Sequence, residues 1–225
     1  MNPSKLWASS LAVVSNLYER TTKGLSRGLR CRLCLGLSEE TLCPACCADL
    51  PWLPAMQRMR HRPYGPELAA FSYEFPINAL IVSAKYHRAI GTCRLLGELL
   101  AVSLARPAEP VDCLIPVPMP WGRVLKRGYN QAEEIAATLG RAWDIPLRVD
   151  VLKRRGWQPQ QQGASRRVRR ANLKAAFIAQ AELAGRAVLL VDDVATTGAT
   201  LEACAEALYK AGTSRVGAVV VARTT

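Results

Sequence analysis

Two adjacent carboxylates, Asp192 and Asp193, follow an apolar stretch and precede a turn rich in hydroxyl groups. The apolar residues 188–191 predict a buried strand, and the turn over 196–198 predicts the start of a helix. Free N–H groups at a helix start bind phosphate monoesters when hydroxyls surround them, and Gly198 has no side chain to block the anion. The carboxylates would repel that phosphate, but they can accept hydrogen bonds from vicinal hydroxyls and hold Mg²⁺. The combination suits a ribose 5-phosphate, most naturally with pyrophosphate at C1, and an Asp-initiated helix cap is the alternative.

Four cysteines at paired two-residue spacings form a second candidate site, and they are Cys31, Cys34, Cys43 and Cys46. Each pair can direct two thiolates at one tetrahedral Zn²⁺ with Zn–S distances of about 2.3 Å. Four sulfurs would fill the coordination sphere, so the predicted zinc is structural rather than catalytic. A redox pair or scattered core cysteines are the alternatives. Cys47 leaves the fourth ligand open, because Cys43 and Cys47 would make a pair that is one residue longer.

A dense run of basic residues is the third feature. The 225-residue chain carries a formal net charge of +12, from 30 Lys and Arg against 18 Asp and Glu. Residues 148–174 hold nine basic residues and one acidic residue, so their net charge of +8 is two thirds of the net charge of the chain. Such a run repels itself unless a polyanion or several phosphates bind it, and a solvated loop in an arginine-rich protein is the alternative.

Aromatic and amide side chains accompany these basic residues. Trp157 stands among four glutamines and several arginines, a composition typical of surfaces that bind a single nucleic-acid strand. A core position under the loop is the alternative for Trp157. The predicted nucleic-acid-binding residues are Arg154, Arg155, Trp157, Arg166, Arg167, Arg169 and Arg170.

A separate segment, 123–131, could clamp a pyrophosphate through Arg123 and Arg127, with surface bases before a helix as the alternative.

Alternating apolar stretches and helical periodicities predict the elements that must position these groups. Predicted strands cover 68–75, 111–117, 147–152, 187–191 and 216–221. Predicted helices cover 76–85, 92–104, 130–143 and a last segment ending at Lys210, with Asn130 and Glu133 as a capping pair. Buried strands that alternate with helices predict an α/β fold with a mainly parallel sheet covered on both faces. Ligands bind such sheets beyond the carboxyl ends of the strands.

Four segments are predicted along the chain. They are an N-terminal extension with a short helix (1–29), a four-cysteine zinc ribbon (30–52), a proline-rich linker (53–67) and the α/β domain (68–225). The longest uncharged stretch near the start, 6–18, is too short to span a bilayer, and no convincing signal-peptide cleavage site follows it. We therefore expect a soluble, cytoplasmic protein without stable membrane insertion.

The 13 residues 188–200 resemble the phosphoribosyl-diphosphate (PRPP) binding motif of type I phosphoribosyltransferases in order, spacing and residue type. The resemblance implies that Asp192 and Asp193 bind the ribose hydroxyls and serve as the catalytic carboxylates. It also implies that the hydroxyl-bearing residues and Gly198 hold the 5-phosphate, while two alanines contribute backbone N–H groups. The implied PRPP-binding residues are Asp192, Asp193, Ala195, Thr196, Thr197, Gly198, Ala199 and Thr200.

From Cys31 to the C-terminus, the chain resembles the ComF/GntX family, which is linked to DNA uptake and utilisation in bacteria. The matching features after the cysteines are, in order, Lys85 with Tyr86, Arg123 with the Arg-Gly-Tyr-Asn-Gln segment 127–131, and the series Arg154, Gln161, Arg169, Asn172 and Phe177. One departure is Ala164-Ser165, where the family has Leu-Ser. The resemblance implies a phosphoribosyltransferase-like fold with a zinc ribbon, PRPP and Mg²⁺ as ligands, and Lys85 beside Arg123 and Arg127 at the pyrophosphate.

These features favour a PRPP-binding protein in DNA uptake, with single-stranded DNA on the basic run and DNA-uptake or recombination proteins as partners. The alternative is an active phosphoribosyltransferase that uses PRPP and Mg²⁺ with an unidentified acceptor. Purine-salvage relatives carry an acid in a nearby loop position, and none lies between Asp193 and Thr200, which argues against purine transfer. A structural adaptor that docks through the zinc ribbon is a third hypothesis. A homodimer is compatible with the sequence, which does not decide the oligomeric state.

Overall fold

The computed structural model describes residues 29–85, 89–155, 175–180 and 183–224. The chain divides into two compact units, Met1–Leu50 and Pro51–Thr225. The predicted N-terminal helix lies outside the described residues. Among the residues described, none of the helices has the length and apolar character that a bilayer crossing needs.

The first unit consists of two short strands and one short helix. The strands β1 (Leu29–Arg30) and β2 (Leu37–Ser38) pair antiparallel, and the helix α1 (Pro44–Ala48) follows them. A tight turn joins the strands, because the N–H of Cys31 donates to the carbonyl of Gly36. Proline suits the first turn of α1, where an N–H would have no helical partner. The first cysteine pair therefore lies in the turn after β1, and the second pair lies at the start of α1.

The second unit contains a 3₁₀ turn, five helices and seven strands within the described residues. In chain order they are the 3₁₀ turn Ala55–Gln57, β3 (Met59–Arg62), β4 (Gly65–Ser72), α2 (Ile77–Lys85), α3 (Ile90–Ser103), β5 (Cys113–Pro116), α4 (Trp121–Arg127), α5 (Gln131–Trp143), β6 (Leu152–Arg154), β7 (Phe177–Ala179), β8 (Ala187–Ala195), α6 (Ala199–Lys210) and β9 (Arg215–Arg223).

Five of these strands form the main sheet in the order β3-β4-β9-β8-β5. The hairpin of β3 and β4 is antiparallel, and the other three pairings are parallel. Residues 187–191 of β8 and 216–222 of β9 carry no polar side chain, as expected for strands covered on both faces. The predicted α/β class with a mainly parallel sheet is confirmed.

Helices cover the two faces of this sheet. On one face, Leu201, Cys204 and Leu208 of α6 pack in a buried cluster with Leu190 and Val220 of the central strands. On the other face, α5 lies against β5, because a Cβ on Gly140 would be 3.5 Å from a methyl carbon of Leu114. Helix α3 packs closely on α5, because a Cβ on Gly97 would lie only 2.7 Å from Cβ of Thr138. Both faces are therefore closed, and the carboxyl edge of the sheet is left as the place where ligands can bind.

The structure differs from the prediction in several segments. Strand β3 and the first residues of β4 occupy much of 53–67, the segment predicted as a linker, because a polar strand is tolerated at a sheet edge. The predicted strand over 147–152 does not form: Leu147 makes only one bridge, to Leu114, and residues 148–150 are exposed. Strand β6 begins at Leu152 and pairs with β7 outside the main sheet.

Candidate functional site

The turn between β8 and α6 has the predicted strand–turn–helix form. Strand β8 ends at Ala195, and Gly198 precedes the first residue of α6 with a φ of +77°, which favours glycine. The hydroxyl of Thr197 accepts a hydrogen bond of 3.3 Å from the N–H of Ala199. Within the described part of the chain, the N–H groups of Thr196 and Gly198 meet no acceptor. The turn, 196–198, thus offers donors and hydroxyls at the positive end of a helix, and we call it the phosphate turn.

The two carboxylates lie on opposite faces of β8. Strand alternation places Asp192 on the α6 side with Leu190, and Asp193 on the side of α2. The N–H of Asp193 donates to Oδ1 of Asp192 over 2.8 Å. Burial and the neighbouring charge of Asp193 raise the pKa of Asp192 to about 8, although that N–H and Lys85 act in the opposite direction. An added cation would relieve this repulsion.

Lys85 ends α2 beside the carboxylates. Its Nζ lies 3.0 Å from Oδ2 of Asp193, with both side chains mostly buried. The hydroxyl of Tyr129 donates to the carbonyl of Ala84 over 2.6 Å, which fixes the end of α2. The structure therefore brings Lys85, predicted at the pyrophosphate, into contact with Asp193, predicted at the ribose.

The arginine-bearing segment 118–130 begins and ends next to β8. The N–H of Val117 donates to the carbonyl of Val191 over 2.9 Å, and Nδ2 of Asn130 donates to the carbonyl of Val117 over 3.0 Å. Oδ1 of Asn130 accepts from the N–H of Ala132 and caps α5, which confirms the Asn130 half of the predicted capping pair. Both ends of the segment are thus held one residue from Asp192.

The structure describes Arg123, Arg127 and Arg154, three arginines of the predicted anion sites. Arg123 is exposed on α4, whereas Arg127 is half-buried and donates to Oε1 of Gln131. The guanidinium of Arg154 lies 5.3 Å from the ring centroid of Phe177. Burial lowers the pKa of Arg154, and the charge of Arg123 lowers it further. The structure therefore groups Arg154, predicted at nucleic acid, with Arg123, predicted at pyrophosphate.

Of the remaining predicted nucleic-acid residues, the structure describes Arg155 alone. Arg155 lines a cavity of about 340 Å³ with Phe177 of β7 and Lys210 of α6. The other predicted nucleic-acid residues, which lie outside the described residues, are Trp157, Arg166, Arg167, Arg169 and Arg170.

Two charged neighbours of the phosphate turn, Arg62 and Glu67, are not predicted from the sequence. Both belong to the β3–β4 hairpin, and both lie within 3.6 Å of the place where a Cβ on Gly198 would be. The hairpin falls largely in the predicted linker, so no role was assigned to them. The one signal in the sequence is Glu67 itself, an acid directly before an apolar strand. Such an acid indicates either the end of the strand or a buried partner for a basic side chain.

The four predicted cysteine ligands come together in the first unit. The sulfurs of Cys31, Cys34, Cys43 and Cys46 all lie within 4.8 Å of one another, and this set includes Cys46 rather than Cys47. The sulfurs of Cys34 and Cys43 are 3.8 Å apart, close to the edge of a tetrahedron with metal–sulfur distances of about 2.3 Å.

Electrostatics also suits a cation between these sulfurs. Burial raises the pKa of Cys31, but hydrogen bonds from backbone N–H groups outweigh it and lower the pKa to about 6. The neighbouring sulfur of Cys43 is the main cause that raises the pKa of Cys46 to about 12. Four thiolates so close together need a positive charge, so the donor set fits a soft divalent metal.

Comparisons with known proteins place the chain in a family. A family model described as a phosphoribosyl transferase domain matches residues 124–224. The chain is 37% identical to competence protein F of Haemophilus influenzae over 152 residues, which cover 64% of this chain and 66% of that protein. It is 31% identical to DNA utilization protein YhgH of Salmonella typhi over 196 residues, which cover 82% and 85%. The chain belongs to the ComF family.

The ComF-family chain has the type I phosphoribosyltransferase fold, with a four-cysteine cluster before it. Among solved structures, it is similar to glutamine PRPP amidotransferase from B. subtilis, with 18% identity and a TM-score of 0.43 over 72% of this chain and 35% of that one. The matched residues 124–224 contain the phosphate turn, both carboxylates and Arg127.

Proposed function

We propose that this protein binds PRPP with Mg²⁺ at the carboxyl edge of its main sheet and takes part in DNA uptake or utilisation. The observation that carries the PRPP site is the order of groups along β8 and α6. Two adjacent carboxylates near the end of β8 are followed by a turn at a helix start, with hydroxyls and with N–H groups that have no acceptor in the described part of the chain. A sugar phosphate with free vicinal hydroxyls matches these groups in kind and in order.

Each part of PRPP has a partner at this edge. The 5-phosphate binds at the phosphate turn, where Gly198 lets the anion approach the backbone. The ribose hydroxyls donate to Asp192 and Asp193, while Lys85, Arg123 and Arg127 bind the pyrophosphate. Mg²⁺ supplies charge neutralisation for the pyrophosphate, and the crowded carboxylates favour such a cation.

The DNA role rests on the relatives and on charge. Relatives named competence protein F and DNA utilization protein share the family, and the basic run 148–174 carries a net charge of +8. Single-stranded DNA binds along this run through its phosphates and stacks on Trp157. Arg154 belongs to this run, and the charge of Arg123 contributes, after burial, to the lowered pKa of Arg154.

The cysteine cluster holds one structural Zn²⁺ in this proposal. Four sulfurs at tetrahedral separations leave no coordination position for water or substrate. The metal therefore stabilises the first unit and takes no part in chemistry.

Calorimetric titration of the full chain with PRPP, with and without Mg²⁺, tests the PRPP site. The double variant Asp192→Asn/Asp193→Asn should weaken Mg²⁺-dependent PRPP binding at least about 100-fold, because two charge-assisted contacts and a metal partner are lost. Its affinity for single-stranded DNA should stay equal or rise slightly. Asp150→Asn, which removes an exposed carboxylate elsewhere, is the matched control. Normal PRPP binding by the double variant would overturn the site.

Salt dependence tests the DNA role. With a slope of about −0.7 per neutralised phosphate, roughly five contacts give a slope of log K against log salt near −3.5. Replacing Arg166 and Arg167 with glutamine should flatten this slope, whereas replacing the exposed Arg94 and Arg106 should leave it unchanged. An unaltered slope in the first variant would make the basic run a solvated surface.

A further inference from the structure

Two side chains of the β3–β4 hairpin lie against the phosphate turn. A Cβ placed on Gly198 would be 3.5 Å from Cζ of Arg62 and 3.6 Å from one of its terminal nitrogens. It would also be 3.6 Å from Oε2 of Glu67. The guanidinium of Arg62 therefore borders the turn at the residue whose missing side chain lets an anion approach the backbone.

Glu67 and Tyr64 hold Arg62 in this position. Nε of Arg62 lies 3.2 Å from Oε2 of Glu67, and the hydroxyl of Tyr64 donates to the same oxygen over 2.8 Å. Glu67 is fully buried, and the side chain of Arg62 is 25% exposed. Burial and the bond to Glu67 raise the pKa of Tyr64 far above its usual range, so Tyr64 stays a neutral donor.

The outer edge of the Arg62 guanidinium is available to a ligand. Of the three guanidinium nitrogens of Arg62, only Nε has a hydrogen-bond or ion-pair partner among the described residues. The two terminal nitrogens present the fork geometry that matches two oxygens of a phosphate. The hydroxyls and N–H groups of the phosphate turn supply donors to the remaining oxygens.

The cluster also contains more positive than negative charge. Arg223 is 1% exposed, and its Nε and one terminal nitrogen have no partner among the described residues. Burial lowers the pKa of Arg223, the charges of Arg60 and Arg62 lower it further, and Glu67 acts in the opposite direction. Buried charge is costly unless it is paired, so the single carboxylate of Glu67 beside Arg62 and Arg223 leaves an excess of positive charge that an anionic phosphate would offset.

We infer that Arg62 is a binding residue for the 5-phosphate of the sugar phosphate, presented by the β3–β4 hairpin and positioned by Glu67 and Tyr64. The inference rests on the proposed PRPP site and extends it beyond the β8–α6 motif. The phosphate is thus gripped from two sides, by the helix start on one and by a guanidinium from the sheet edge on the other.

Ribose 5-phosphate and magnesium pyrophosphate, titrated separately into the full chain, test the assignment. Arg62→Ala should weaken ribose 5-phosphate binding about 10- to 100-fold, since a bidentate charge-assisted contact is lost, and should leave pyrophosphate binding unchanged. The ribose 5-phosphate affinity of Arg62→Lys should lie between those of the wild type and Arg62→Ala, because lysine keeps the charge but cannot make the bidentate contact. Arg60→Ala, on the same strand and exposed, should change ribose 5-phosphate affinity less than twofold.

Tyr64→Phe tests positioning without removing a charge. It should weaken ribose 5-phosphate a few-fold, with the thermal unfolding midpoint measured alongside to show that the fold persists. If wild type, Arg62→Ala and Arg62→Lys bind ribose 5-phosphate equally, the inference about Arg62 is overturned and the proposed PRPP site is not. Equal losses for ribose 5-phosphate and pyrophosphate would also overturn it, because they would indicate a general disturbance. A folded wild-type protein that binds neither PRPP nor ribose 5-phosphate would instead overturn the proposed function, and the inference with it.

Discussion

The four-cysteine cluster and the carboxyl edge of the main sheet both hold acidic groups close together, and they balance the charge differently. In the cluster, neighbouring sulfurs raise the pKa of Cys46 to about 12, and backbone N–H groups favour the thiolate of Cys31. At the edge, Lys85 lies 3.0 Å from Asp193 and neutralises part of the charge from within the protein.

This difference separates a closed metal site from an open ligand site. The four sulfurs lie at separations that one metal ion can satisfy, and they leave no position for a further ligand. The edge has a counter-ion of its own together with donors that have no partner in the described residues, so it can accept a charged ligand without losing its shape. Breaking the first site should therefore unfold a unit, and breaking the second should change affinity or cost modest stability.

The largest effect is expected from loss of the predicted zinc. Cys46→Ser removes one of four ligands, and small metal-held units unfold without their metal. Zinc content measured by mass spectrometry should fall from about one per chain to near zero, with loss of the structure of the first unit by circular dichroism. Cys47→Ser is the matched control and should keep its zinc, because Cys47 lies outside the cluster. Equal zinc loss in both variants would show that the fourth ligand is misassigned.

A medium effect is expected at Asn130, which holds the arginine-bearing segment by neutral hydrogen bonds. Asn130→Ala should lower the free energy of unfolding by about 2 kcal/mol, from a lost cap and a lost bond to the carbonyl of Val117. Asn130→Asp keeps the cap acceptor and removes the donor, so about half of that loss is expected. Urea denaturation measures both values, and an alanine variant as stable as the wild type would contradict the anchoring role.

The smallest effect is expected for the ion pair itself. A double-mutant cycle with Lys85→Met and Asp193→Asn should give a coupling of about 1 kcal/mol, because the pair is mostly buried yet reaches solvent. The more exposed pair Lys210 and Glu206, a single contact along α6, is the control, and its cycle should give at most about 0.5 kcal/mol. If the two cycles agree, Lys85 is not an internal counter-ion for the carboxylates.

Contiguous features were predictable from the sequence, and features assembled from distant residues were not. The order of Asp192, Asp193 and the phosphate turn lies within one short stretch, so its strand, turn and helix follow from local pattern. The choice between Cys46 and Cys47 needed coordinates, because both spacings suit a metal. Arg62 meets Gly198 only because the sheet joins the hairpin to the centre of the fold, and a basic edge strand is locally indistinguishable from a linker.

Helix α4 and the predicted strand over 147–152 show the limits of apolar patterning in opposite directions. Helix α4 has only seven residues, and although Trp121, Val124 and Leu125 stand at helical spacing, none of its residues is buried. The stretch 147–152 has apolar residues but turns away after one bridge to Leu114. The conformation of such short segments depends on their tertiary contacts, which local sequence patterns do not reveal.

Because α4 buries none of its residues while the segment 118–130 is tied at both ends to Val117, this part of the chain is a closed loop whose opening need not disturb the sheet. Its local opening free energy should be far below that of the core, so amide hydrogens of α4 exchange with solvent early and those of β8 late. Because both ends of the loop are held at Val117, a rearrangement of the loop does not require its ends to be brought together again, which would cost entropy. Arg123 and Arg127 can therefore rearrange around an arriving anion on a short tether, with the sheet unchanged beneath them.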